Sequence, residues 1–485
     1  MLATARRAPE GDATFGMGRM VNGVGGSITH YGAWLRRFHP HHFRMRSHIV
    51  ERNGEGVLPR HATLADWPVG YDELEPYYTQ IEQEIGVAGD GAENPFLPRS
   101  KPLPMPSLRP FKLGERFRQV THAMGLHPYS VPVGQNSIPF DGRPATEYSP
   151  WSAGFGAPLG DRWDPSLSHI PEALATGNLD LRTHCRVLRV LTDADGHADG
   201  VEYLDANGQV QTQRARTVIL CSYTFENIRL LFLSADARHP AGLGNNRGQL
   251  GKHYLTKMST AVGGYFPGEV WNRHAGPASQ GVLIDDFLSA DFDGAPHGFV
   301  GGASPGVEMQ TGPLRICRET IRPGVPAWGH LYKESLRDWQ PIAFIGIQQD
   351  TLSYATTYLD LSPRRRERSG LGLPVVRLTH DLQTNEQRMA AHMEDWGMET
   401  LRAMGASEVW NGMRSTNVIT CHDLGGARMG DDPATSVLGR DLQVHDTPGL
   451  HVFGGAAFPS CPGINPTLTI FALCRHAVDA MLAAG

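Results

Sequence analysis

Three short runs in this 485-residue chain carry residue types that could do chemistry. Cys421-His422-Asp423-Leu424-Gly425-Gly426-Ala427-Arg428-Met429-Gly430 sets a histidine just ahead of paired glycines. The missing side chains leave room for a ligand against the ring, and imidazole, with an ordinary pKa of about 6.5, can take a proton from an alcohol. Further on, Gly454-Gly455-Ala456-Ala457-Phe458-Pro459 leads into Gly463-Ile464-Asn465-Pro466-Thr467-Leu468-Thr469-Ile470. Asn as N-cap followed by Pro marks a helix start, whose free N–H groups can also face an anion. Near the front, Val24-Gly25-Gly26-Ser27-Ile28-Thr29-His30-Tyr31-Gly32 pairs glycines whose backbone can approach a ligand and cradle a phosphate. Each run also has a plainer reading: a tight loop, a helix cap, or one histidine among 22.

The elements that must position these runs are partly readable. Leu74, Tyr78, Ile81 and Ile85 share one face of a helix over 72–85, with Asp72 as N-cap and Gly86 as stop. Phe117, Val120 and Met124 repeat in the same way before Gly125, and the proline-rich stretch 94–110 between the two helices must be irregular. A strand is expected over 179–191 and another over 200–204. Asn207-Gly208 signals a hairpin with both residues at positive φ. Thr217-Val218-Ile219-Leu220-Cys221 reads as a strand buried on both faces, and a helix follows through Ile228, Leu231, Phe232 and Ala235. Residues 350–361 alternate as on an antiparallel sheet, 384–404 is an amphipathic helix, 450–453 a short strand and 467–482 an apolar helix.

Composition excludes other classes. Gly 56 and Pro 35 exceed the usual shares of roughly 7% and 5%, against coiled coils and helical arrays. A hydrophobic share of 40% supplies a sizeable core, against disorder. The net charge is -6, and the densest basic run, Arg364-Arg365-Arg366 with Arg368, reads as a solvated loop and not as a nucleic-acid footprint. No 18-residue apolar run suggests a transmembrane helix, and the first ten residues lack the apolar core of a signal peptide. The six cysteines are scattered, so free, mostly buried thiols are expected, with neither a disulfide framework nor a zinc site.

Taken together and in this order, the runs resemble the glucose–methanol–choline (GMC) flavoprotein oxidoreductases over nearly the whole chain. Asp66-Trp67-Pro68-Val69 with Tyr71-Asp72-Glu73-Leu74-Glu75-Pro76-Tyr77-Tyr78 resembles the gluconate 2-dehydrogenase and sugar dehydrogenase branch. The resemblance implies a mixed α/β fold: an FAD-binding Rossmann-like domain with a β-meander, interleaved with a substrate domain on an antiparallel sheet. Residues 1–50, 172–255 and 416–485 would form the FAD domain, and 51–171 and 256–415 the substrate or cap domain. The implied reaction oxidises a CH–OH group of a sugar, polyol or aldonate by hydride transfer to flavin N5. His422 matches the family's catalytic histidine, and Asn465 the second member of its His/Asn or His/His pair. Gly25, Gly26 and Ser27 would lie along the flavin, and Gly455, Ala456 and Thr467 at its pyrophosphate or ring edge. Val187, beside Arg186, matches the segment near the adenine. His30 matches the histidine that bonds covalently to flavin in pyranose oxidases. Implied partners are a quinone or cytochrome electron acceptor and a small subunit. The compartment is cytoplasmic by default and periplasmic with a signal-bearing partner.

Two departures stand out. The family opens on a strand and a Gly-x-Gly-x-x-Gly turn, whereas Gly16-Met17-Gly18-Arg19-Met20-Val21 lacks the third glycine and only 24 residues precede Gly25. The expectation is therefore a chain lacking that N-terminal segment. The branch's cysteine cluster ahead of the meander is also missing, since 148–165 holds no cysteine, and no iron–sulfur centre is expected. Competing readings are an oxygen-using sugar oxidase of the pyranose oxidase type and a truncated, non-catalytic family member.

Overall fold

The computed structural model describes residues 3–5 and 13–14 by their backbone, and 20–148, 156–274, 276–277, 279–309, 322–380, 383–412 and 421–483 in full. Gly16, Gly18 and Cys317 lie outside the described residues. The thiols are not mostly buried: among the described residues Cys185, Cys221 and Cys421 are exposed, Cys474 is half-buried and Cys461 alone is buried.

Alternating strands build the larger sheet. Its order is Glu408–Asn411, Ser259–Tyr265, Ile342–Gln349, Ala303–Glu308, Gly281–Ile284 and Pro128–Ser130, antiparallel throughout. One face buries Val262, Ala343, Ile345 and Ile347 against the helices Lys112–Ala123 and Thr384–Ala403, through Leu113, Phe117, Met389 and Met393. The helix lies close because residue 397 is glycine: an added Cβ would stand 2.7 Å from Val262 Cγ2. Because side chains alternate along a strand, the other face carries Ala261, Gly346 and Gln348. Gly346, in the sheet's interior, is exposed, and an added Cβ there would meet no described atom nearer than 4.0 Å. The middle of the sheet therefore stands open on that side among the described residues.

A second core gathers around the parallel strands Val218–Leu220 and Leu450–Val452. The meander Arg186–Thr192, Ala198–Leu204, Val210–Arg214 and the helices Thr224–Leu233 and Thr467–Ala483 surround them. A four-stranded sheet orders Tyr358–Arg366, Pro374–Thr379, Ala3–Ala5 and Ala13–Thr14, with Ala3–Ala5 parallel to Pro374–Thr379. The helix Tyr71–Ile85 joins this core through Leu74, Tyr78 and Ile85, and Tyr78 Oη hydrogen-bonds Thr469 Oγ1 at 2.7 Å. The expected architecture is present: a mixed α/β unit with a β-meander, and a unit built on an antiparallel sheet.

Local differences have physical reasons. The Tyr71–Ile85 helix starts one residue early, on Gly70, so Asp72 lies inside its first turn and does not cap it; Gly86 ends it at φ 78°. The strand expected over 179–191 begins only at Arg186. In the Asp205–Gly208 turn only Gly208 has positive φ, because Asp205 accepts Asn207 N and Gln209 N and sets the turn from outside. Ile219 is 40% exposed, since no described layer covers that face of its strand. Arg364, Arg365 and Arg366 finish a strand instead of forming a loop.

Candidate active site

The structure brings His422 and Asn465 together. Asn465 Nδ2 lies 3.5 Å from His422 Nε2 although 43 positions separate them. At this far limit of a hydrogen bond, the two nitrogens converge on one region without consuming each other's capacity. An amide N–H can donate to a ring nitrogen only where that nitrogen keeps its lone pair, which is also what a base requires. Asn465 Oδ1 is buried and accepts nothing among the described residues, so the side chain does not serve as the expected helix cap; it faces the histidine instead.

The scaffold under His422 is closely built. Asp423–Leu424 pairs antiparallel with Leu255–Thr256, Asp423 opposite Thr256. The Asp423 carboxylate takes the hydroxyls of Tyr223 and Tyr254, while Thr224 Oγ1 donates to Asp423 O at 2.5 Å. Gly425 follows at φ 69°, where an added Cβ would come 2.2 Å from His253 O, so only glycine fits. Gly425 N, Ala427 N and Met429 N donate in turn to Gly455 O, Ala456 O and Ala457 O at 2.9, 3.0 and 2.8 Å. Two runs singled out in the sequence thus form one hydrogen-bonded unit.

Asn465 is positioned from the sheet side. Gly463 N donates to Asp350 Oδ1 at 2.7 Å, Asp350 Oδ2 accepts Gly302 N at 2.8 Å, and Arg36 Nη1 donates to Gly463 O at 3.3 Å. An added Cβ at Gly463 would stand 2.7 Å from Gln348 O. Arg36 is itself held by Asp285 at 2.6 Å, a carboxylate that Arg36 keeps far below its usual range against the opposing effect of burial. Burial pushes the carboxyls of Asp350 and Glu386 up to about 7 and the Lys257 ammonium down to about 7. His42 Nε2, buried and without a hydrogen-bond partner among the described residues, lies 4.0 Å from Asp350 Oδ1. Lys257, Gln348, Asp350 and His42 belong to none of the sequence runs; contacts between positions far apart in the chain, invisible in one sequence, gather them.

Gly25 at φ 85° and Gly26 at φ 58° open the short 3₁₀ turn Gly26–His30. Thr29 Oγ1 closes on Gly26 O at 2.9 Å, Arg162 donates to Thr29 O at 3.3 Å, and Ser27 Oγ accepts Val21 N at 3.2 Å. Gly25, Gly26, His30 and Val187 make no hydrogen bond to the His422 unit among the described residues. Val187 stands 38% exposed on the meander, and Thr467 begins the last helix.

These residues suit a dinucleotide. In parallel α/β sheets such ligands bind outside the carboxyl ends of the strands. Here the parallel strands end at Leu220 and Val452, the second running directly into Gly454-Gly455. An added Cβ at Gly454, as at Gly26, would meet no described atom within 4 Å, so both backbones face open space a ligand could fill.

Comparison with known proteins agrees. The two GMC oxidoreductase family models match residues 141–254 and 364–474. The gluconate 2-dehydrogenase flavoprotein of Pantoea cypripedii is 31% identical, over 95% of this chain and 78% of its own length. The 2-methyl-1,2-propanediol dehydrogenase of Mycolicibacterium austroafricanum is 28% identical over 95% and 80%. The fructose dehydrogenase large subunit of Gluconobacter japonicus is 27% identical over 96% and 81%. Among solved structures, an R554A variant of Aspergillus oryzae RIB40 formate oxidase aligns at TM-score 0.60 with 13% identity, over all of this chain and 87% of that one. Pyridoxine 4-oxidase aligns at 0.58 with 15% identity, over 94% and 83%. The chain belongs to the GMC oxidoreductase family. It is an FAD-dependent oxidoreductase.

Proposed function

We propose that this enzyme oxidises a CH–OH group of a sugar, polyol or aldonate, with His422 as base and Asn465 as orienting residue. The observation that carries this reading is the 3.5 Å approach of Asn465 Nδ2 to His422 Nε2. When bound, FAD supplies the acceptor for the carbinol hydrogen, taken as hydride at its N5. A substrate hydroxyl placed between the two nitrogens gives its proton to His422 Nε2 and accepts a hydrogen bond from Asn465 Nδ2, which fixes the direction of the C–H bond. Asp423 and its two tyrosines, the Gly425 turn and the Asp350–Gly463 bond hold these nitrogens in place. Gly25, Gly26, Ser27 and His30 would line the flavin, Gly455, Ala456 and Thr467 its pyrophosphate or ring edge, and Val187 its adenine. The division into an FAD domain (1–50, 172–255, 416–485) and a substrate domain (51–171, 256–415) goes with this reading, the open sheet face forming the substrate side.

Electrons would then pass to a cytochrome or quinone partner; the fructose dehydrogenase relative is named as a large subunit, one chain of an assembly. Among the described residues no helix is long and apolar enough to cross a membrane. Flavin-loaded His422→Ala should lose about a hundred- to ten-thousand-fold in kcat/KM with flavin content unchanged. Asn465→Ala should lose roughly ten- to a hundredfold. Turnover of flavin-loaded His422→Ala at the wild-type rate would overturn the reading. Peroxide formed in air without an added acceptor would replace the dehydrogenase with an oxidase.

A further inference from the structure

Beside the open sheet face lies a buried cation, Lys257. Lys257 directly follows the strand Leu255–Thr256, whose pairing sets Thr256 opposite Asp423. Lys257 and His422 each adjoin that pair, just beyond the end of the two-residue ladder. The Lys257 side chain is 1% exposed. Its ammonium makes a single hydrogen bond, 2.8 Å to Gln348 Oε1, and no ion pair among the described residues. Two of its three N–H donors are therefore unspent among the described residues. Gln348 is half-buried on the same face as the exposed Gly346, so the bond joins the buried ammonium to a side chain of the open face.

We propose that Lys257 and Gln348 form a carboxylate subsite, so that the preferred substrate is a hydroxy acid whose carboxylate meets Lys257 while its carbinol meets His422 and Asn465. This rests on the reading of those two residues as the alcohol-oxidising pair. A buried ammonium with only a neutral partner is costly, and a carboxylate supplies the missing charge and fills the open donors. The charged and titratable groups facing Lys257 do not already do so. Arg36 is committed to Asp285; Asp350 acts on Lys257 through its charge but forms no ion pair with it among the described residues, its oxygens taking Gly463 N and Gly302 N; and Cys461 and Cys421 bring only thiols. Burial holds the empty ammonium near neutrality, so an arriving carboxylate must raise its affinity for a proton.

Two measurements on the flavin-loaded enzyme test this. The first compares kcat/KM for gluconate and for sorbitol, which has the same carbon count but no carboxylate, in wild type and Lys257→Met. The gluconate-to-sorbitol ratio should fall about ten- to a hundredfold in the variant; an unchanged ratio overturns the subsite. The second titrates acetate by calorimetry at about pH 8 in two buffers of different ionisation enthalpy, needing no turnover. Wild type should take up protons as acetate binds and Lys257→Met should not; binding without proton uptake in wild type also overturns it. Failure of the catalytic reading looks different: His422→Ala would keep full turnover while acetate still bound with proton uptake.

Discussion

Two glycine pairs, Gly425–Gly426 and Gly25–Gly26, differ in what surrounds them. Gly425 and Gly426 both have positive φ, and an added Cβ would strike His253 O at 2.2 Å and Ile228 side-chain carbons from 3.1 Å. Gly25 and Gly26 also have positive φ, but there an added Cβ would meet side chains alone at Gly25 (Thr29 Cγ2 at 2.7 Å, Asp164 Oδ1 at 3.5 Å and Ser166 Cβ at 3.6 Å) and nothing within 4 Å at Gly26. The first pair lets two backbones pass in contact, which fixes where His422 stands. The second leaves open space at Gly26. Equal letters thus serve opposite ends: one pair excludes space and the other keeps it.

The sharpest way to break this contrast is Gly425→Ala. Its methyl must displace backbone as well as adopt positive φ, so the loss in stability should be about 3 kcal/mol or more. Chemical denaturation of the apo protein measures it; a loss under about 1 kcal/mol would mean that the backbone at His253 yields freely and does not position His422.

A second prediction concerns the polar bed beneath Asn465. Asp350 and Glu386 have folded pKa values raised to about 7, so between their ordinary carboxylate range and about pH 7 the folded state binds more protons than the unfolded one. Stability should therefore fall as pH rises through that window. Lys257, lowered to about 7, acts oppositely: the unfolded chain holds more protons between about 7 and its ordinary range, so stability should rise again on the alkaline side. The three groups together place a local minimum near neutrality. Denaturation across pH should show it, with Glu386→Gln flattening the acid limb and Lys257→Met the alkaline one; a monotonic wild-type curve unaltered by both substitutions would contradict the assignment.

Gly26→Ala sharpens the comparison from its open side. Positive φ alone should cost about 1 kcal/mol in the apo protein, with no clash to add. Because the backbone of Gly26 is proposed to lie along the flavin, the same methyl should cost more in the FAD-loaded enzyme. Melting both forms decides this. Equal shifts in both would remove Gly26 from the cofactor surface.

Legibility followed the same divide. His422, the paired glycines and Asn465 could be found in the sequence because glycine and Asn-Pro restrict backbone geometry locally, and the helix Thr384–Ala403 because its period is local too. Lys257 was not legible: its one hydrogen-bond partner is 91 positions away, and Asp350 reaches Gly463 across 113. Such pairs depend on contacts between positions far apart in the chain, which a single sequence does not display. Where a local rule was applied without its tertiary partner it misplaced details, as with the cap role given to Asn465, whose amide turns to His422 instead.

The hairpin after Leu204 gives the smallest prediction and isolates that lesson. The local rule asks positive φ of both Asn207 and Gly208, but only Gly208 has it, at 75°, with open space around its Cα. Asn207 instead sits where Asp205 accepts its N–H at 2.9 Å, along with that of Gln209 at 2.9 Å. Gly208→Ala should then cost about 1 kcal/mol, as expected for a left-handed residue in open space. Asn207→Ala should stay within about 0.5 kcal/mol, because alanine accepts the same φ and the Asp205 bonds use backbone donors it keeps. Equal losses at the two positions in parallel denaturation curves would restore the two-residue turn and make Asp205 incidental to it.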